Sequence, residues 1–302
     1  MTLYARRFPG GGVLLAKFLT LFLVLTVLGL SFPFRPAYGE EEDRSGIRMI
    51  CLNVGKGDAI LLSLDGRNYL VDTGYKRTWK SLKALLSREN VRRLDGVFIT
   101  HPHKDHMGGL EKLLESEVRV DALYAPALSQ MGNGSSHPVV SMAAQAGKHV
   151  RFLDAGDVIS VSAEAYFEVL GPLTLNTQNE NNNSLVMRLV SPDGSILLTG
   201  DMKAEEEASL LLADVLSPVE VLKVPFHGKS SASSAAFLRA VRPRVSVIST
   251  STKEEKDTPG KDVLYRLASV GSQICVTQSA RTGILITLKN KKPSVRLLTD
   301  PD

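Results

Sequence analysis

The chain has 302 residues, 43% hydrophobic and 23% charged, an ordinary globular composition that excludes collagen-like and disordered classes. Its net charge of +4 belongs to its start: Arg6, Arg7, Lys17 and Arg35 stand within residues 1–39 with no acid beside them, so residues 40–302 balance to zero. Bulk charge therefore gives no argument for a polyanionic partner, and only a local basic patch could supply one.

In chain order, Arg6, Arg7 and Lys17 precede an apolar run from Phe18 to Phe32. A positive head before such a run reads as an export signal, since the run falls short of the roughly 20 residues of a spanning helix. Pro33, Pro36 and the small-residue pattern Ala37-Tyr38-Gly39 resemble a cleavage site. The alternative is an uncleaved anchor that reaches back through Val13. Either reading leaves the basic cluster inside and places the rest outside, secreted or held on the outer face of the cytoplasmic membrane. Residues 1–39 are thus read as export signal or membrane anchor, 40–45 as an acidic linker and 46–302 as one domain.

Residues 48–53 and 59–64 run apolar or alternate as strands do, Asp65-Gly66 is a hairpin turn, and residues 69–71 return to Asp72-Thr73-Gly74. Residues 79–86 have helical spacing. Val97-Phe98-Ile99 reads as a buried strand running into His101, and residues 107–114 read as a helix. A second hairpin follows, with strand 184–190, turn Asp193-Gly194 and return 196–198, ending at Thr199-Gly200-Asp201. The two hairpins read as a weak internal repeat, each delivering an aspartate to one edge. Then come helix 203–213, strand 220–224, loop 225–231, helix 235–240, strand 245–248, helix 261–268 and final strands near Ile274 and Ile284. Strands alternating with helices indicate an α/β protein. Cys51 and Cys275 lie in apolar, strand-like runs. An exported protein could pair them. The plainer reading is two separate buried thiols, and without C-x-x-C spacing a thiolate metal site is not expected.

The densest signal is THPHKDHMGG, Thr100 to Gly109. His101, His103, Asp105 and His106 fall within six residues after a buried strand, and three of the chain's six histidines are here. Imidazole and carboxylate are ligand types for Zn²⁺ and related ions. Gly108-Gly109 permits close backbone approach where the next helix begins.

His-x-His-x-Asp-His after a strand resembles the signature of the metallo-β-lactamase superfamily, and the resemblance runs over nearly all of residues 46–302. Within that superfamily the chain is most similar to the extracellular hydrolase domain of the ComEC DNA-uptake (competence) proteins. The segments that carry it are, in order, NVGKGDAILL, YLVDTG, ITHPHKDHMGGL, NNNSLVMRL, LLTGD, LKVPFHGKSS and FLRAVRPRVSVIS. The resemblance implies a four-layer αβ/βα sandwich with one or two divalent metal ions, Zn²⁺ or Mn²⁺, at one edge. By position it implies that His101 and His103 hold a first metal, Asp105 and His106 a second, that Asp201 bridges both and that His227 completes the second. Asp105 could also act catalytically by orienting the nucleophile, a metal-bound hydroxide. Asp72 and Asp58 match supporting aspartates. Lys229 and Ser230, just past His227 and close to an expected helix start, are weaker candidates for binding an anionic substrate through the lysine and backbone amides. Asn183 is a further weak candidate, on what reads as a solvated turn.

The match has gaps. Residues 176–183 carry no histidine where the superfamily places the last ligand of the first metal, so that site is expected to bind less tightly. Oxygen-rich ligation then favours Mn²⁺ or Mg²⁺. Asn53 stands where the similar domains usually have Asp, Phe226 replaces the first histidine of Pro-His-His-Gly, and Thr258-Pro259 stands where His-Pro is frequent. Losing two outer histidines is expected to alter substrate or weaken activity. His137 and His149 read as surface residues. With at most one apolar segment, which is also its one expected membrane contact, the chain is not expected to import DNA by itself. The expectation is an exported metal-dependent hydrolase of phosphodiester bonds in DNA, RNA or a nucleotide. The alternatives are a β-lactam or lactone hydrolase, and a metal-binding interaction module with weakened catalysis.

Overall fold

In a computed structural model of the chain, the described residues are 46–131 and 137–299. The export segment and the acidic linker lie outside them. All six residues of β1 (Ile47–Leu52) are buried, so this strand is covered on both faces. β2 (Ile60–Leu64) and β3 (Arg67–Val71) close around Asp65-Gly66, whose φ values of 50° and 71° are the two positive angles a type I′ hairpin turn needs. α1 (Trp79–Arg88) buries Leu82, Leu85 and Leu86, the stripe of an amphipathic helix. β4 (Arg93–Leu94) is followed by β5 (Gly96–Phe98), the histidine loop, and α2 (Leu110–Leu114). α2 begins at Leu110, not Met107, because the residues before it are wound into that loop. The amides of His106 and Met107 both reach the His103 carbonyl, at 3.0 and 2.9 Å.

The chain continues through β6 (Arg119–Val120), β7 (Leu123–Pro126), α3 (Pro138–Gln145), β8 (Val150–Leu153), β9 (Val158–Ser160) and β10 (Tyr166–Gly171). The second hairpin is β11 (Val186–Ser191) and β12 (Gly194–Leu198), followed by α4 (Ala204–Leu212) and β13 (Val221–Lys223). Last come α5 (Ala235–Val241), β14 (Val245–Ile248), α6 (Lys261–Ser269), β15 (Gln273–Val276), β16 (Gly283–Lys289) and β17 (Lys292–Leu298).

One sheet has the order β17-β16-β1-β2-β3-β5-β7-β8 and the other β15-β14-β13-β12-β11-β10-β9. Both change character at the second strand of a hairpin. The strands up to and including β3 pair antiparallel, and β3, β5, β7 and β8 run parallel. β9 to β12 likewise pair antiparallel, and β12 to β15 run parallel. The repeated hairpins thus hold equivalent places in the two sheets.

Strand alternation decides the layering. Tyr69 and Val71 of β3 enter the core shared by both sheets, while Leu70 faces the helices. Ile196 and Leu198 of β12 enter that same core, and Leu197 faces away. A period of two therefore feeds two cores per sheet. Leu82, Leu110 and Val139 of α1 to α3 cover one sheet, and Leu210, Phe237 and Leu267 of α4 to α6 cover the other. The result is the four-layer αβ/βα sandwich. Phe167 locks its centre, with its ring centroid 5.0 Å from those of both Tyr69 and Phe98. Cys51 and Cys275 are buried and unpaired, and burial pushes both thiols up. No helix among the described residues is long and apolar enough to cross a membrane.

Candidate metal centre

The carboxyl ends of adjacent parallel strands face one edge, and the loops that leave them carry the polar residues. Asp72 follows β3 with a φ of 59°. Its Oδ1 accepts the Thr100 amide at 2.8 Å, while Oδ2 accepts the Thr100 hydroxyl at 2.8 Å and Nδ1–H of His106 at 2.7 Å. Because Nδ1 is the donor, Nε2 of His106 is left free of Asp72 and turned toward the cluster. His227 uses the same device, with Nδ1 donating to the Ser249 carbonyl at 2.9 Å. Around His101, Nδ1 lies 3.1 Å from the Thr100 hydroxyl and 3.3 Å from that of Ser184. The Thr100 hydrogen already goes to Asp72, so Thr100 can only accept from His101 Nδ1, and Nε2 of His101 faces His103. The Gly108-Gly109 pair does what its sequence promises, since a Cβ on Gly109 would lie 2.6 Å from the Thr73 carbonyl oxygen.

These free nitrogens converge. Asp201 Oδ1, just past β12, lies 3.1 Å from His227 Nε2 and 3.3 Å from His106 Nε2. Asp105 Oδ2 lies 3.7 and 4.0 Å from the same two nitrogens. The four donor atoms all lie within 4.8 Å of one another, and all four residues are buried. His106 Nε2, His227 Nε2 and Asp201 Oδ1 have no hydrogen-bond partner. A buried polar atom left unsatisfied costs about 1–3 kcal/mol, and three such atoms facing one point form a defect that a cation would remove. Two imidazole nitrogens and two carboxylates are a donor set that fits a divalent ion.

The other pair is less complete. His101 Nε2 lies 3.0 Å from His103 Nδ1 and 4.0 Å from Asp201 Oδ2, and residues 176–183 bring no imidazole there. Four of the six histidines and aspartates expected as ligands thus form a closed set, while of the other two only His101 comes near Asp201, with His103 against His101.

Charge follows the geometry of the metal-free cluster. Burial alone would raise the Asp201 carboxyl, yet His227 and His106 hold it well below the usual range. Burial disfavours charge on His106, but Asp201 and Asp72 carry it well above its ordinary value. Burial, then the neighbouring His106, pushes His101 well down. Behind the cluster, Asp58 Oδ2 lies 2.8 Å from Lys223 Nζ, and Asp58 Oδ1 accepts the Ser249 hydroxyl. Asp58 stands 4.0 Å from Nδ1 of both His106 and His227. Burial would raise its carboxyl, and Lys223, His227 and His106 lower it instead. In front, Lys56 Nζ donates to Asp105 Oδ2 at 2.9 Å. Sequence reasoning overlooked Lys56, Lys223, Ser184 and Ser249. Lys223 had a signal, as one cation inside the apolar strand Val221-Leu222-Lys223-Val224.

The weaker expectations fare differently. Lys229 pairs with Glu255 at 3.0 Å and the Ser230 hydroxyl donates to Asp262 at 2.6 Å. At the helix start beyond them, several amides are already engaged. Glu207 already accepts the amides of Ser233 and Ser234, and Ser234 caps Phe237 at 3.2 Å. Asn183 is buried, not solvated. Its Oδ1 accepts the Asn176 amide at 2.7 Å and its Nδ2 donates to Glu180 at 2.9 Å, so it pins its own loop. His137 is also buried, because its ring nitrogen caps α3 by accepting the Val139 amide at 3.3 Å. His149 is exposed, as expected.

Comparison with known proteins agrees with this architecture. A family model described as the metallo-beta-lactamase superfamily matches residues 52–252. The chain is 25% identical over 234 residues to ComE operon protein 3 of Bacillus subtilis (strain 168), covering 72% of this chain and 30% of that protein. It is 29% identical over 221 residues to Recombination protein 2 of Haemophilus influenzae, covering 72% of this chain and 26% of that protein. It therefore spans less than a third of either relative. Among solved structures, the metallo-beta-lactamase fold protein YhfI from Bacillus subtilis aligns with a TM-score of 0.52 at 11% identity, covering 79% of this chain and 98% of that one. That likeness concerns the fold.

Proposed function

Since the chain belongs to the metallo-β-lactamase superfamily, we propose that residues 46–302 form an exported metal-dependent hydrolase that cleaves phosphodiester bonds in DNA, RNA or a nucleotide. The observation that carries the reading is the convergence of three orphaned atoms, His106 Nε2, His227 Nε2 and Asp201 Oδ1, with Asp105 beside them. His106, His227, Asp105 and Asp201 would hold one divalent ion, and His101 and His103, with Asp201 shared, a second and weaker one. A divalent ion supplies positive charge that acidifies water and polarises a phosphoryl oxygen. Asp105 orients the attacking water. Asp72, Ser249 and Thr100 fix the tautomers, and Asp58 with Lys223 balances charge behind the imidazoles. Lys56 meets substrate charge at the rim. Support for a nucleic-acid substrate comes from the similarity to Recombination protein 2, a protein named for recombination. The residues before 46 would act as signal or anchor and place the domain outside the cytoplasmic membrane.

The test is metal analysis of the purified chain with phosphodiesterase assays in Mn²⁺, Mg²⁺ and Zn²⁺. Metal-dependent hydrolysis, abolished by Asp201→Ala, is expected. Activity that survives chelation, or an Asp201→Ala variant as active as the parent, overturns the reading. The open first site favours a second reading, a metal-binding interaction module with weakened catalysis. A metal-loaded chain silent on every phosphodiester would establish it instead.

A further inference from the structure

We propose that Phe226 is a stacking platform for a base, with Lys203 and Lys229 gripping the phosphates beside it, so that the substrate of this site is single-stranded nucleic acid. This rests on the phosphodiesterase reading of the metal cluster. Phe226 immediately precedes the ligand His227, and both residues sit at left-handed angles, with φ of 49° and 54°. A bulky side chain is rarely held there, and the turn fixes where the ring stands. The ring is half-buried and belongs to none of the three apolar cores.

Two ammonium groups flank it. Lys229 Nζ lies 5.0 Å from the ring centroid and Lys203 Nζ 5.9 Å. Lys203 enters from the start of α4, where Asn182 accepts its amide at 2.8 Å, and Lys229 from the loop after His227. Lys203 thus reaches the ring from a second segment, while Lys229 shares the turn that holds Phe226, its amide donating to the Phe226 carbonyl at 2.9 Å. Lys229 is paired with Glu255 at 3.0 Å and must exchange that carboxylate for a phosphate, so Lys203 is the readier grip; Lys229 also lines a groove of about 640 Å³ with Lys256, Lys261 and Asp257. Both ammonium groups lie over the ring, so an unpaired base that stacks there takes the ring from them and leaves them to its own phosphates; every base has a π-face, and sequence is immaterial to it. A duplex, whose bases are already stacked, offers no such face. The replacement of histidine by Phe at this position then tunes substrate binding and leaves the metal ligands alone.

The test is fluorescence anisotropy with the full chain in excess chelator, so that no probe is cut. The probes are a short labelled oligothymidylate and a length-matched abasic strand. Phe226→Leu should weaken oligothymidylate binding about 5- to 100-fold, the loss of one stacked base, and leave the abasic strand unchanged. Phe226→Trp, which makes the same demand on the turn, should hold the parent's affinity. Lys203→Gln and Lys229→Gln should weaken both strands alike and flatten the salt dependence. The proposal fails if Phe226→Leu binds oligothymidylate like the parent, if Phe226→Trp binds like Phe226→Leu, or if the abasic strand binds the parent as tightly as the base-bearing one. A chain that binds as described but hydrolyses nothing upholds the stacking platform and overturns the phosphodiesterase reading, making the single strand a ligand and not a substrate.

Discussion

Lys223→Met tests whether the charge behind the metal cluster is set by a coupled pair. Lys223 and Asp58 are each 1% exposed. The ammonium lies 2.8 Å from Asp58 Oδ2 and 3.0 Å from the Val224 carbonyl. The substitution leaves Asp58 with one hydroxyl donor and two histidines at 4.0 Å. Breaking one side of a buried pair costs about 3–5 kcal/mol, because the remaining charge has nowhere to go. Asp58→Asn should cost a similar amount by stranding the lysine. Folded domains are stable by about 5–15 kcal/mol, so either change removes a large share of that. The double variant has no stranded charge and should cost less than the two single losses combined by about 0.5–3 kcal/mol, the coupling expected of contacting groups. Urea unfolding of the four metal-free chains at neutral pH, followed by circular dichroism, measures the cycle. Single losses below about 1 kcal/mol, or losses that simply add, would refute the argument.

Glu206 is buried at 4% exposure, and burial pushes its carboxyl from 4.5 up to about 7, partly offset by the Leu173 amide. The folded state then holds a proton that the unfolded state has lost between those values, so stability falls as pH rises through that window and levels off above it. Glu206→Gln should stabilise the chain at pH 8 by up to about 3 kcal/mol and do nothing at pH 4; equal melting shifts at both would contradict this. Replacing His227 by Ala should lose the tightly held ion, whereas His103→Ala should keep it. Metal analysis after gel filtration decides, and an ion retained by His227→Ala would defeat the assignment. Loading a cation onto His106 must expel the proton that Asp201 and Asp72 hold there. Calorimetry in buffers of different ionisation enthalpy should register proton release, with affinity rising as pH rises; a loading heat independent of buffer would contradict it.

Much of the site was legible because its chemistry is compressed in the chain. His101 to His106 lie on one loop, and the two Asp-Gly turns mark hairpins that end in aspartates. The tautomers were not legible, since they rest on Asp72, Ser184 and the Ser249 carbonyl, which stand 34, 83 and 22 positions from the histidines they meet. Asn183 and His137 were misplaced for one reason. A polar side chain that bonds to its own loop can be buried without any apolar pattern around it. The fold was clearest where patterns are long. Within the stretch from β6 to β10, β6, β8 and β9 were missed because they are short and largely exposed or half-exposed, so alternation has no room to show. The last strand escaped because β17 is an edge with no buried residue.

The division of ligands between the sheets has a mechanical consequence. Asp105 and His106 leave the sheet of β3 and β5, while Asp201 and His227 leave the sheet of β12 and β13. A cation held by all four acts as a rivet through the seam, so its binding energy enters directly into the work needed to part the halves. Amide hydrogen exchange should therefore slow on both sides of the seam on loading, in β5 and β13 together. Slowing confined to the histidine loop would mean that the ion grips one half only.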